Sequence, residues 1–205
     1  DIARGLYTEQ EIRRLLDGGE HFSIKVSEGY ELAAIRFLCS PPEKSRYVII
    51  IAHGIGCNLA GSLKYANLFL SLGFDCVVYD HRFHGKSGGT FCTLGGLERR
   101  DLLTVADTVR EMYGPDAVIG LHGESMGAAT AMSALDSGFP FAFCIEDCGF
   151  RSLSEQIRDT VGRNTWLFRK PAAALVKYLY EKRTGVSMAS IEPVSALRSE
   201  EAARI

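Results

Sequence analysis

Six consecutive residues, Tyr47-Val-Ile-Ile-Ile-Ala52, do most to narrow what this chain can fold into. A strand with one wet face alternates apolar and polar side chains. An unbroken β-branched run belongs instead to a strand buried on both faces, in a parallel sheet covered by helices. The residues that follow repeat the theme. Leu59, Leu63, Ala66, Phe69 and Leu70 fall at helical spacing, with Gly73 placed to end the helix. Phe74 to Tyr79 reads as the next strand, and Leu102, Val105, Ala106, Val109 and Met112 as the next helical stripe. Ala117 to Leu121 then reads as a strand, Gly127 to Leu135 as a helix and Phe141 to Ile145 as a further strand. Strands alternating with helices imply an α/β fold, a doubly wound, mostly parallel sheet with right-handed crossovers.

The flanking segments differ. Thr8-Glu9-Gln10-Glu11 has the capping-box pattern and opens a short helix ending near Gly18-Gly19. His21 to Val26 and Leu32 to Leu38 form an antiparallel hairpin about Ser27-Glu28-Gly29-Tyr30. After Phe150 the pattern is helical, over Ser152–Val161, Pro171–Lys182 and Pro193–Ala203. Residues 1–205 are therefore expected to be one domain: an N-terminal helix and hairpin (1–40), a core (45–150) and a helical cap or lid (151–190).

A net charge of -2 gives no basic footprint for nucleic acid. No run of about 18 apolar residues is present, so no membrane-spanning segment is expected within the chain, and no signal peptide is visible. The chain starts at Asp1 rather than Met, so a signal or anchor upstream stays open. The cysteines, Cys39, Cys57, Cys76, Cys92, Cys144 and Cys148, form neither C-x-x-C nor a zinc spacing with histidine. They read as reduced, mostly buried thiols, which favours the cytoplasm. No metal is expected. Oligomeric state is not legible.

Gly123-Glu124-Ser125-Met126-Gly127 carries the chemistry. It follows a strand and opens a helix of small residues, the setting in which G-x-S-x-G forms a nucleophile elbow. The sharp turn exposes the Ser125 hydroxyl above the sheet, Gly123 and Gly127 leave room for it, and the helix N-terminus favours negative charge beside it. His53-Gly54-Ile55-Gly56 follows the first buried strand. There the Ile55 amide, with that of Met126, is a candidate oxyanion donor. His53, Gly54 and Glu124 are expected to support the elbow and line the substrate pocket. His53 is read as a brace rather than a base.

Asp80-His81-Arg82-Phe83-His84-Gly85-Lys86-Ser87 completes a set of three motifs. A strand ending in His-Gly, then D-x-R-x-H-G-x-S, then G-x-S-x-G resembles the α/β-hydrolase superfamily over residues 45–200. The elbow and Glu146-Asp147-Cys148-Gly149-Phe150 look like its bacterial serine-aminopeptidase-like and esterase-like branch. The resemblance implies that Asp80 and Arg82 pin loops behind the elbow. It also implies that Glu146 and Asp147 are structural, though Asp147 stays open as a triad acid. Phe83 stands where the family usually has glycine.

The superfamily order is Ser, then Asp or Glu, then His, yet His21, His53, His81, His84 and His122 all precede Ser125. The resemblance therefore implies that the last strands, with the acid and the histidine, lie beyond residue 205. Trp166, Leu167, Phe168, Leu175, Tyr178, Leu179 and Tyr180 in the cap segment either pack on the core or wall an acyl pocket. The expected function is hydrolysis of an ester, thioester or amide of a small acyl substrate through an acyl-Ser125 intermediate. Acyl transfer through the same serine, and a catalytically inactive binding domain, remain as alternatives. No cofactor is implied: the first βα turn, His53-Gly54-Ile55-Gly56-Cys57-Asn58, is not a dinucleotide fingerprint, and no P-loop occurs.

Overall fold

The computed structural model describes residues 8–40, 46–164 and 169–199. Helix α1 (Glu9–Asp17) leads into the hairpin β1 (Glu20–Lys25) and β2 (Glu31–Phe37). Then come β3 (Tyr47–Ala52), a 3-10 turn (Leu59–Ser62), α2 (Leu63–Ser71), β4 (Asp75–Tyr79), α3 (Glu98–Tyr113), β5 (Val118–Glu124), α4 (Met126–Ala134) and β6 (Phe143–Asp147). Helices α5 (Leu153–Asn164), α6 (Arg169–Thr184) and α7 (Pro193–Ala196) follow.

The sheet order is β1-β2-β4-β3-β5-β6. The hairpin is antiparallel and β2 runs antiparallel to β4, while β4, β3, β5 and β6 are mutually parallel. The β-branched run lies centrally, between β4 and β5, and Val48 to Ala52 are at most 1% exposed. One face of the sheet packs Val48, Ile50, Val77, Ile119 and Leu121 against α3 and α4. The other packs Ile49, Ile51, Cys76 and Val78 against α1 and α2. This two-sided burial is why the strands carry no polar alternation.

Four expectations need correction. The first turn after Asn58 is 3-10, because the Asn58 side chain accepts from the Ala60 amide and tightens it. The helix expected over 193–203 is only α7; Leu197 and Arg198 already form a turn, and residues 200–205 lie outside the described set. In the cap segment, α5 and α6 pack through Leu153, Ile157, Val176 and Tyr180 on Met188, Ile191, Leu94 and Phe150. Leu175, Tyr178 and Leu179 are instead exposed and do not pack in the core. Trp166, Leu167 and Phe168 lie outside the described residues. Cys57 and Cys148 are exposed, against the expectation of mostly buried thiols.

Candidate active site

Ser125 occupies the single residue between β5 and α4, with φ 55° and ψ -111°. A positive φ is costly for any residue with a Cβ, so the surrounding backbone must impose it. Two glycines make that possible. A Cβ on Gly127 would stand 2.0 Å from the Ala52 carbonyl oxygen, and one on Gly123 would stand 2.3 Å from that of Gly127. Only hydrogen fits where α4 crosses the ends of β3 and β5. On the far side, the Ser125 amide donates to the Asp147 carbonyl at 2.7 Å, so the elbow is clamped from β6 as well.

The strand register brings the second loop alongside. Ala52 pairs with Gly123, which places the following His53–Gly56 turn against the elbow. A Cβ on Gly54 would lie 3.4 Å from Ser125 Cβ. The Ile55 amide belongs to this turn, beyond the β3 ladder, and Met126 is the first residue of α4, whose amide has no carbonyl one turn earlier to bond. Met126 is 1% exposed, with its sulfur 3.4 Å from Cys92 Sγ.

His53 is a brace. Its Nε2 accepts the His81 amide at 3.0 Å and its Nδ1 donates to the Gly54 carbonyl at 2.7 Å, so the ring is neutral. Burial pushes its pKa down. His84 and His21 are likewise bonded to backbone, whereas His81 Nε2 and His122 Nδ1 are buried without a hydrogen-bond partner among the described residues. His84 Nδ1 meets the Arg82 carbonyl and its Nε2 the Gly56 amide. His81 is fully buried, its pKa held well below the usual value by desolvation. His122 lies under Tyr65 and Phe69, also lowered by burial. His21 caps the Leu16 carbonyl, on the N-terminal hairpin. Among the described residues no hydrogen bond joins Ser125 Oγ to a histidine.

Asp80 and Arg82 pin loops, as expected. Asp80 Oδ1 accepts the Leu59 amide at 2.7 Å and Oδ2 the Lys86 amide at 2.8 Å. Arg82 makes a two-pronged ion pair with Asp101, 2.7 Å on each prong, to which Tyr30 adds its hydroxyl. Asp147 receives the Tyr65 hydroxyl at 2.5 Å, which holds its pKa down, and Glu146 receives the Gly149 amide at 2.9 Å. Lys64 pairs with Glu124 at 3.0 Å, over the Tyr65 ring. The sequence gives no sign of Lys64 and Tyr65 as elbow partners, because they lie 60 and 82 positions from the groups they bond. The thiols nearest the elbow are poor nucleophiles: burial pushes Cys92 up to about 12 and raises Cys148. Among the described residues no group of His, Cys, Asp and Glu is arranged to hold a metal ion, and no helix is long and apolar enough to cross a membrane.

The profile of a family described as serine aminopeptidase, S33, matches residues 43–140, which hold all three motifs. With the sheet order, that match fits one fold. The chain has the α/β-hydrolase fold. It superposes on an esterase of Pyrococcus furiosus, with a TM-score of 0.70 and 20% identity over 94% of this chain and 69% of that one. An α/β serine hydrolase of Xanthomonas campestris, described as having no lid, gives a TM-score of 0.56 and 24% identity over 62% of this chain and 60% of that one. The uncharacterized protein YqkD of Bacillus subtilis (strain 168) is 32% identical over 178 residues, 86% of this chain. This chain spans only 57% of that relative's length.

Proposed function

We propose that this α/β hydrolase is a serine hydrolase that cleaves an ester, thioester or amide through an acyl-Ser125 intermediate. The observation that carries the reading is Ser125 itself, held at φ 55° at the mouth of α4 and against the Gly54 turn. In this reading Ser125 Oγ attacks the substrate carbonyl, and its proton passes to a histidine contributed from outside residues 1–205. The tetrahedral oxyanion sits between the Ile55 and Met126 amides and near the N-terminus of α4, where fixed dipoles stabilise charge without reorganising. His53, Gly54, Gly123, Glu124 and Gly127 hold that geometry and border the pocket. A small acyl compound is the substrate class this arrangement accepts.

The test is covalent. The intact protein should react with a fluorophosphonate probe, the adduct should map to Ser125, and Ser125→Ala should abolish it. Labelling that survives the substitution places the nucleophile elsewhere. A second reading, a non-catalytic binding domain, is favoured by one observation: among the described residues no histidine is hydrogen-bonded to Ser125 Oγ, and His21, His53 and His84 are bonded to backbone instead. Absence of labelling in the intact protein would select it.

A further inference from the structure

The loop after β4 grips the oxyanion turn at several points, and one of its side chains reaches the turn directly. His84 Nε2 lies 3.4 Å from the Gly56 amide, one residue past Ile55. An amide can donate only to an unprotonated ring nitrogen. The proton is therefore on Nδ1, which donates to the Arg82 carbonyl at 2.9 Å. Both ring nitrogens are thus spent on backbone, one in each loop, and the ring is a neutral strut between them.

The rest of the loop is built to hold that strut. The His84 amide donates to the His81 carbonyl at 3.0 Å, and the Ser87 amide to the His84 carbonyl at 3.0 Å. Asp80 binds the Leu59 amide on the far side of the turn, so the segment 56–59 is held at both ends from the same loop. The His84 ring also stands 5.2 Å from that of His53, edge to face, which fixes its rotation. Phe83, just before it, has φ 61° and a 57% exposed side chain. A bulky residue in left-handed backbone and facing solvent gains little where it stands. Its conformation instead turns the next residue back toward the Gly54–Gly56 turn.

We propose that His84 is a positioning residue for the oxyanion hole: as a neutral acceptor for the Gly56 amide, it fixes the peptide that aims the Ile55 amide at the oxyanion. The inference rests on the reading of Ser125 as nucleophile and of Ile55 as donor. Removing an oxyanion donor outright costs about 10²–10³ in kcat. Loosening one should cost less, about tenfold to a hundredfold, and should fall on kcat because the ground-state carbonyl makes weaker use of the hole.

The experiment compares two polar replacements in the intact protein. His84→Gln can present an acceptor at the position of Nε2. His84→Asn can mimic only Nδ1, keeping the Arg82 contact and losing that to Gly56. With a short-chain nitrophenyl ester, His84→Asn should lower kcat about tenfold to a hundredfold with KM within about twofold. It should weaken a trifluoromethyl ketone, which forms a tetrahedral oxyanion adduct, by a similar factor. His84→Gln should recover most of both losses. Urea unfolding midpoints of the two variants should agree. Wild-type kcat in His84→Asn, or equal loss in both variants, overturns the positioning role, since ring packing alone would treat them alike. If wild-type turnover persists in Ser125→Ala, the underlying reading fails first and this inference with it; Ser125-dependent turnover with an indifferent His84→Asn sinks this inference alone.

Discussion

Gly127→Ala is the substitution on which the geometry of this elbow speaks most directly. The new methyl would lie 2.0 Å from the Ala52 carbonyl oxygen, 2.5 Å from its carbon and 2.7 Å from the His53 oxygen. None of these is the end of a flexible side chain. They are the backbone of the central strand β3 and of the turn that carries Ile55, so relief requires α4 and β3 to separate by more than about 1 Å. Overpacking of this kind costs about 1–3 kcal/mol or more, against which the better helix propensity of alanine returns about 1 kcal/mol. A net loss of up to about 2 kcal/mol should lower the melting temperature by up to about 4–8 °C in a chain of this size. On the proposed function the damage should also be local to the chemistry, because the displaced atoms position the turn proposed to hold the oxyanion. Fluorophosphonate labelling at a temperature where the variant is still folded should slow at least about tenfold. Gly114→Ala is the control. Gly114 has φ 83° with open space around its Cβ position, so the change should cost about 1 kcal/mol in backbone strain and leave labelling unchanged. A Gly127→Ala protein that melts with the wild type and labels at the same rate would falsify the claim that α4 is seated against β3 through this glycine.

Further outcomes follow from the same structure. Ser125→Gly should be more stable than Ser125→Ala by about 1 kcal/mol in urea unfolding, since glycine relieves the positive φ; the opposite order would mean the elbow is unstrained. Phe83→Val should destabilise more than Phe83→Gly, because a β-branched side chain suits φ 61° worst, and equal midpoints would argue against that conformation. His53, His81 and His122 have pKa values lowered by burial below 6.5. The unfolded chain therefore takes up protons below about pH 6.5 that the native protein refuses. Their contribution is intact above that pH and is lost as pH falls, by up to about 1.4 kcal/mol per unit and histidine. Urea midpoints should drop between about pH 7.5 and pH 5.5; a midpoint flat to about pH 4.5 refutes the burial of these rings as neutral species.

The register of legibility in this chain follows the range of the interactions. The β-branched run at 47–52, the helical stripe on Leu102, Val105, Ala106 and Val109, and the turn residues around Gly123-Glu124-Ser125-Met126-Gly127 each record a local demand: burial on two faces, burial on one, a tight reversal. Such demands are written in the identity of neighbours in the chain, so the α/β alternation, the hairpin and the place of Ser125 could be read directly. The ends of elements were less legible. Strand β5 runs on to Glu124, past the expected Leu121, because pairing with β6 continues through Glu124 and Asp147, and a partner strand leaves no mark on its neighbour's sequence.

The sequence by itself determined which residues are candidates for chemistry and which segments must be buried. Only the tertiary structure decided what each buried polar group holds. It turned Leu175, Tyr178 and Leu179 outward, made His53 and His84 backbone struts, and set Lys64 and Tyr65 beside the elbow. The physical reason is that hydrophobic burial is non-directional and survives as a pattern, whereas a hydrogen bond needs a partner at about 3 Å, and the fold supplies that partner from any distance along the chain.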